Sequence, residues 1–264
     1  MAEPTQPIPI IALHGFTGTG DDFLSLQKHC PTSWQWHCPD LPGHGSNPTQ
    51  PVGKKFSLSV HLDYLEKERA RICSNQPCVL LGYSMGGRIA LHWALQKPAA
   101  FSALILISSS PGIESPEEQI ARKKSDETLA EKIIAEGIPA FQKYWWSLPL
   151  FSGLKKLPPA EISLLETRRL QNTADGLAAS LRGIGTGALP SLWNQLPSLN
   201  LPVLCMAGLR DEKFVRIAQA MNSRLPNGTT ALIPDAGHMT HVEASQPVAD
   251  PLQKFLQTQL RLDM

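Results

Sequence analysis

The sequence predicts an α/β fold, a mostly parallel sheet with helices on both faces, interrupted by a helical insertion. Three observations carry this. Short apolar runs of strand length alternate with helix-forming stretches over residues 1–110. The alternation stops over 111–199, where no strand pattern is found, and it resumes over 200–264. Apolar strands alternating with helices mark a parallel sheet covered on both faces, and 264 residues suit one large domain or a domain with an insertion.

Each element follows in order. "IPIIAL" (8–13) reads as a buried strand that ends at His14-Gly15. "WQWHCPD" (34–40) is a more polar strand, closed by the loop "LPGHGSNP". "SLSVHLDYLEKERARIC" (57–73) has the charged, amphipathic spacing of a helix. "PCVLLGY" (77–83) is a third strand, with a helix from Met85 to about Gln96, and "FSALILISSS" (101–110) is a fourth. Within the insertion, two long stretches are helical by composition, joined by the aromatic-rich link "FQKYWWSLPLF" (141–151). "LPVLCMAGL" (201–209), a helix near 214–225, "TTALIPDAGH" (229–238) and a helix near 247–260 complete the core. An insertion leaving the C-terminal end of a strand lies over the ligand crevice of such a sheet, so 111–199 is expected to form a lid.

Composition excludes several classes. A net charge of +1 leaves no footprint for nucleic acid or for a membrane surface. The polar, proline-rich start "MAEPTQPIPI" lacks the basic and apolar regions of a secretory signal. The longest apolar runs are too short to span a bilayer, so no membrane insertion is expected. The five cysteines show no CxxC spacing, which argues against a disulfide framework or a zinc site and for reduced thiols in a cytoplasmic protein.

Gly82-Tyr83-Ser84-Met85-Gly86 matches G-x-S-x-G, with a strand before and a helix after, the setting of a nucleophile elbow. The turn is so tight that side chains at the glycine positions would clash. A serine of this kind needs a base, and the base needs an orienting acid. His238 follows the last strand, and Asp211 follows the strand before it. The chain order Ser84, Asp211, His238 is that of the α/β-hydrolase fold, and all three lie just past strand ends where they can converge.

Other residues receive plainer roles. Asp235 is expected to shape the turn before His238, and His241 to be a surface residue near a helix start. His14 is expected to shape the loop whose Phe16 N–H completes an oxyanion hole with that of Met85. His44 braces a turn, and Ser108, Ser109 and Ser110 form a loop.

Arg88 is harder to explain. It lies in the first turn of a helix, where a cation opposes the helix dipole at a cost on the order of several tenths of a kcal/mol. Either a structural carboxylate pairs with it, or an anionic substrate does. Arg122, Arg169, Trp145 and Trp146 stand in the insertion. Taken singly, each reads as solvated or as lid packing. Together they point to a pocket for a carboxylate-bearing ring, since guanidinium binds carboxylate bidentately.

"LHGFTGTGDDF", "DLPGHGS", "GYSMGGRIAL" and "GLAASLRGIGTGALPSLW" together resemble the 2-succinyl-6-hydroxy-2,4-cyclohexadiene-1-carboxylate (SHCHC) synthases of the menaquinone and phylloquinone pathways. The first two motifs are generic to the fold, and the last two are more specific. The resemblance implies a lyase that eliminates pyruvate from a polycarboxylate small molecule, without a metal or organic cofactor. It implies Ser84, Asp211 and His238 as a triad acting as base. It further implies that Arg88, Arg122, Arg169, Tyr83 and Trp145 contact the substrate. Two other readings share the fold: a carboxylesterase or carbon–carbon bond hydrolase with Ser84 as acyl nucleophile, and a non-catalytic receptor for a small acid.

Overall fold

Six strands form one sheet in the order β2-β1-β3-β4-β5-β6. They are β1 (Ile8–Leu13), β2 (Trp34–His37), β3 (Cys78–Tyr83), β4 (Phe101–Ile107), β5 (Val203–Gly208) and β6 (Gly228–Ile233). Every adjacent pair is parallel. The structure is a computed structural model that describes residues 7–47, 49–51, 55–73 and 76–260. Part of the N-terminal stretch (1–6) and Pro48 of the glycine-rich loop lie outside the described residues.

Burial explains the sequence pattern strand by strand. β3 and β5 are buried at every position, and both are near-continuous apolar runs. The edge strands β2 and β6 are only partly buried, and they carry the polar residues. Alternate residues of the inner strands enter two core layers. Ile11, Leu13, Leu80 and Leu104 pack with α2 (Leu58–Cys73), α3 (Met85–Gln96) and α7 (Glu212–Asn222). Ile10, Ala12, Val79 and Leu81 pack with α1 (Leu24–Gln27) and α9 (Ser245–Leu260). A short α8 (Thr240–Glu243) precedes α9.

Three strands end earlier than their apolar patterns. β2 stops at His37, before Pro39, which has no N–H to donate. β4 stops at Ile107 because Ser108 takes φ +47°, which turns the chain out of the ladder. β6 stops at Ile233, before Pro234 and Asp235 at φ +58°.

The insertion contains α4 (Pro116–Ser147), α5 (Pro159–Arg169) and α6 (Ala174–Ile184). Ser115 caps α4 and Thr173 caps α6, each hydroxyl accepting a first-turn N–H. α4 bends at Gly137, whose φ of +75° is not helical, two residues before Pro139. The aromatic segment 141–151 is therefore no extended link. Phe141–Ser147 completes α4, and Pro149–Lys156 is a 3-10 helix. Ile133, Phe141, Leu177 and Leu181 give α4 and α6 a small core of their own. From Ile184 onward the segment changes allegiance, since Leu189, Leu192, Trp193 and Leu196 pack into the layer beneath the sheet.

β1 connects to β2 on one side, while β3 lies on its other side. The strand order reverses there, and the crevice past the strand ends at such a point is where ligands bind in open α/β sheets.

Candidate active site

Ser84 follows β3 directly and takes φ 51°, ψ −109°, a conformation that costs free energy for any residue with a Cβ. Its surroundings enforce it. The Ser84 N–H donates to Ile107 O at 2.9 Å, and the Ser109 hydroxyl donates to Ser84 O at 2.9 Å. A Cβ on Gly86 would stand 2.2 Å from Leu13 O, and one on Gly82 would stand 2.5 Å from Gly87 Cα. The glycines of the motif thus allow α3 to press against β1 and β3.

His238 lies between Ser84 and Asp211. Its Nε2 is 3.1 Å from Ser84 Oγ and its Nδ1 is 2.7 Å from Asp211 Oδ2. The imidazole and the carboxylate are buried. Asp211 also caps α7, where its Oδ1 accepts the Phe214 N–H at 3.3 Å. The His238 ring is packed by Phe214 at 4.6 Å and Tyr83 at 5.5 Å between centroids. The hydrogen-bonded chain from Ser84 through His238 to Asp211 is therefore short, with aromatic rings packed around the imidazole.

A cavity of about 180 Å³ opens over Ser84. Phe16 and Met85 line it, and Met85 is the first residue of α3, so its N–H is one of the unpaired donors at a helix start. No hydrogen bond engages the Phe16 N–H among the described residues. Neither N–H is thus taken up by a hydrogen bond among the described residues. A wider groove of about 600 Å³ between the 43–51 loop and α6 contains none of Ser84, Asp211 or His238.

The cavity wall is cationic. Arg88 lines it, and no carboxylate pairs with Arg88 among the described residues. Its Nη2 donates to Ile184 O at a long 3.4 Å, and its Nε is buried without a partner. Burial, assisted by the neighbouring Arg122 charge and partly offset by the Asp126 carboxylate, lowers the Arg88 pKa to about 10. Arg122 lines the same cavity, tied through Nε to Asp126 at 2.8 Å. Tyr83 and Trp145 also line it, and Trp145 packs on Phe16 at 5.5 Å. Burial raises the Tyr83 phenol well above its ordinary pKa, so it stays protonated.

Arg169 does not line this cavity, a correction to its expected substrate contact. Its two Nη atoms bind both oxygens of Asp22 at 2.6 and 2.7 Å, and both side chains are buried. Burial alone would raise the Asp22 pKa, but the charge and hydrogen bonds of Arg169 hold it below the ordinary value. The guanidinium fork is already filled by a structural carboxylate.

His241 is a second correction. It is fully buried rather than on the surface, with its ring between Phe23 at 5.0 Å and Tyr83 at 4.4 Å, and burial lowers its pKa to about 4. His14 accepts the Leu41 N–H at 2.9 Å and so fastens the loop after β1. His44 is buried at its turn, and Asp235 pairs with Arg210 on the turn before His238.

Lys213, Phe151 and Ser180 also line the cavity, and the sequence reading did not single them out. Lys213 is exposed and forms no ion pair among the described residues. Its place directly after Asp211-Glu212 at the start of α7 is the one signal that could have found it. Among the described residues, no group of three or more His, Cys, Asp or Glu is arranged to hold a metal ion. None of the described helices is long and apolar enough to cross a membrane.

Comparison with known proteins accords with this geometry. The model of the alpha/beta hydrolase fold family matches residues 8–245. A Bacillus subtilis (strain 168) protein provisionally named 2-succinyl-6-hydroxy-2,4-cyclohexadiene-1-carboxylate synthase is 35% identical over 96% of this chain and 92% of its own. The synthase of that name from Salmonella paratyphi C (strain RKS4594) is 30% identical over 96% of this chain and 95% of its own. The solved structure of MenH from S. aureus is 32% identical, with a TM-score of 0.92 over 98% of this chain and 97% of that one. The chain therefore belongs to the alpha/beta hydrolase fold family and, within it, to the SHCHC synthases.

Proposed function

We propose that the protein eliminates pyruvate from 2-succinyl-5-enolpyruvyl-6-hydroxy-3-cyclohexene-1-carboxylate to give SHCHC. One observation carries this reading: the half-buried, unpaired Arg88 in the cavity that holds Ser84. A cation partly withdrawn from water without a paired carboxylate carries a desolvation cost, and an anionic ligand compensates it. The substrate offers three carboxylates. Arg88 and Arg122 each take one, and Lys213 at the mouth takes the third.

Ser84 acts as base. Its hydroxyl proton passes to His238 Nε2 while Asp211 holds the Nδ1–H, and Oγ removes the proton α to the succinyl ketone. The electron pair enters the carbonyl as an enolate, whose oxygen is met by the Phe16 and Met85 N–H groups. The pair then returns through the ring, and the carbon–oxygen bond to the enolpyruvyl group breaks. The conjugated diene remains, and the departing enolate takes up a proton to become pyruvate.

Ser84→Ala should abolish pyruvate release above background from the enolpyruvyl substrate made in situ. Near-full activity in that variant would sink the base role. Short-chain nitrophenyl esters serve as the counter-test. Brisk ester cleavage, with diene formation no faster than the spontaneous rate, would make Ser84 an acyl nucleophile instead.

A further inference from the structure

The turn that carries Phe16 is strained, and the lid holds it. Gly18 N–H donates to Gly15 O at 3.0 Å, which closes a four-residue turn with Phe16 and Thr17 at its centre. Thr17 has φ +67°. That position of a turn favours glycine or asparagine when φ is positive, and a β-branched residue there is unfavourable. The neighbours must therefore supply the restraint.

They do so from 155 residues away in the chain. Asn172, between α5 and α6, donates from Nδ2 to Thr17 O at 2.9 Å. The same amide donates to Arg169 O at 2.9 Å, and its Oδ1 accepts the Gly45 N–H at 2.9 Å. Both donors and the acceptor are used, so the amide has one orientation. Asn172 and Thr17 are buried, at 5% and 6% exposure. The bidentate Arg169–Asp22 pair fastens the same stretch of lid to the 3-10 helix Gly20–Phe23 that follows the turn. The Phe16 ring is covered by Trp145 and Phe141 of α4.

We infer that Asn172 is a positioning residue for the oxyanion hole: its hydrogen bond to Thr17 O keeps the Gly15–Gly18 turn in the conformation that directs the Phe16 N–H at the enolate oxygen. Docking of the lid and completion of the hole are then one event. The inference rests on the reading of Phe16 as an oxyanion donor in the proposed reaction.

The test uses the full chain and measures pyruvate release. Asn172→Ala should lower kcat by about tenfold to a hundredfold, part of the loss that follows removal of one oxyanion donor, with KM within about twofold of the parent. Adding Thr17→Gly should recover at least about fivefold, because glycine adopts the positive φ without help. Should Asn172→Ala fail to fold, the near-isosteric Asn172→Asp, which keeps the acceptor for Gly45 and loses the donor, carries the same expectation. A kcat within about twofold of the parent would overturn the inference, as would loss of kcat and KM together with no recovery on adding Thr17→Gly. Amide hydrogen exchange across residues 15–18 needs no substrate. Faster exchange there in the Asn172 variant, with β3 unchanged, supports the positioning role, and unchanged exchange refutes it. A parent protein that releases no pyruvate would instead overturn the reading of the site, and the exchange result would still decide the role of Asn172.

Discussion

Arg169 is buried and Arg88 half-buried, and both are candidates for the same task. Their surroundings differ most in what holds the guanidinium. Arg169 has both Nη atoms on the Asp22 carboxylate, whereas Arg88 has one long bond to a carbonyl and a second cation, Arg122, nearby. Burial alone does not distinguish a structural arginine from a ligand-binding one. The partner does. A filled fork is part of the architecture, and a fork without a carboxylate in the wall of the cavity is the one the proposed reaction assigns to the substrate.

The sharpest way to break this contrast is to remove each charge. Arg169→Met leaves Asp22 buried and unpaired, which should cost about 3–5 kcal/mol of stability. Denaturant unfolding reads this, and adding Asp22→Asn should restore part of the loss. An Arg169→Met variant as stable as the parent would mean that Asp22 finds another partner. Arg88→Met should behave in the opposite way. Its melting temperature should hold or rise, while kcat/KM for pyruvate release falls about a hundredfold, as expected when one partner of a buried charge pair is removed. A fall in stability with little change in kcat/KM would reverse the two assignments.

His241 extends the comparison to pH. It shares the Asp22–Arg169 side of the site, and burial sets its folded pKa at about 4, below the ordinary histidine value of 6.5. His61 and His92 are likewise lowered by burial to about 4. Between pH 6.5 and 4 the unfolded chain binds more protons than the folded one, so stability rises with pH in that window. Stability should therefore fall steadily on acidification, and His241→Phe should flatten the slope by about 1.4 kcal/mol per pH unit. An unchanged slope in urea titrations at several pH values would show that His241 does not contribute.

The smallest effect belongs to Lys213. Exposed at the cavity mouth, it should contribute through long-range attraction that salt screens. Lys213→Ala should raise KM severalfold at low ionic strength, with kcat unchanged and the difference fading as salt is added. A KM equal to the parent at low salt would remove Lys213 from the substrate-binding set.

Much of the fold was legible because its signals are local. Strand-length apolar runs, the G-x-S-x-G pentapeptide and the residues following the last two strands sufficed to single out Ser84, Asp211 and His238, which the structure joins by hydrogen bonds of 3.1 and 2.7 Å. The strand ends were less legible, since Ser108 and Asp235 leave their apolar patterns through positive φ, which composition does not encode. The lid was legible as helix but not as contact. "FQKYWWSLPLF" read as a link because Gly137 and Pro139 mask a helix that continues beyond the bend.

By itself, then, the sequence determined the order of elements, the strained elbow and the identity of the residues placed at the strand ends, all of which depend on neighbours a few positions away. Tertiary structure alone decided which cation meets which anion. Asp22 and Arg169 are 147 residues apart, and Asn172 and Thr17 are 155 apart. An arginine in a helix looks the same in sequence whether its fork will be filled or empty. Only the folding of the lid onto the sheet consumes Arg169, leaves Arg88 open and sets Asn172 against the turn, because charge pairing and hydrogen bonding act at a few ångströms in space rather than along the chain.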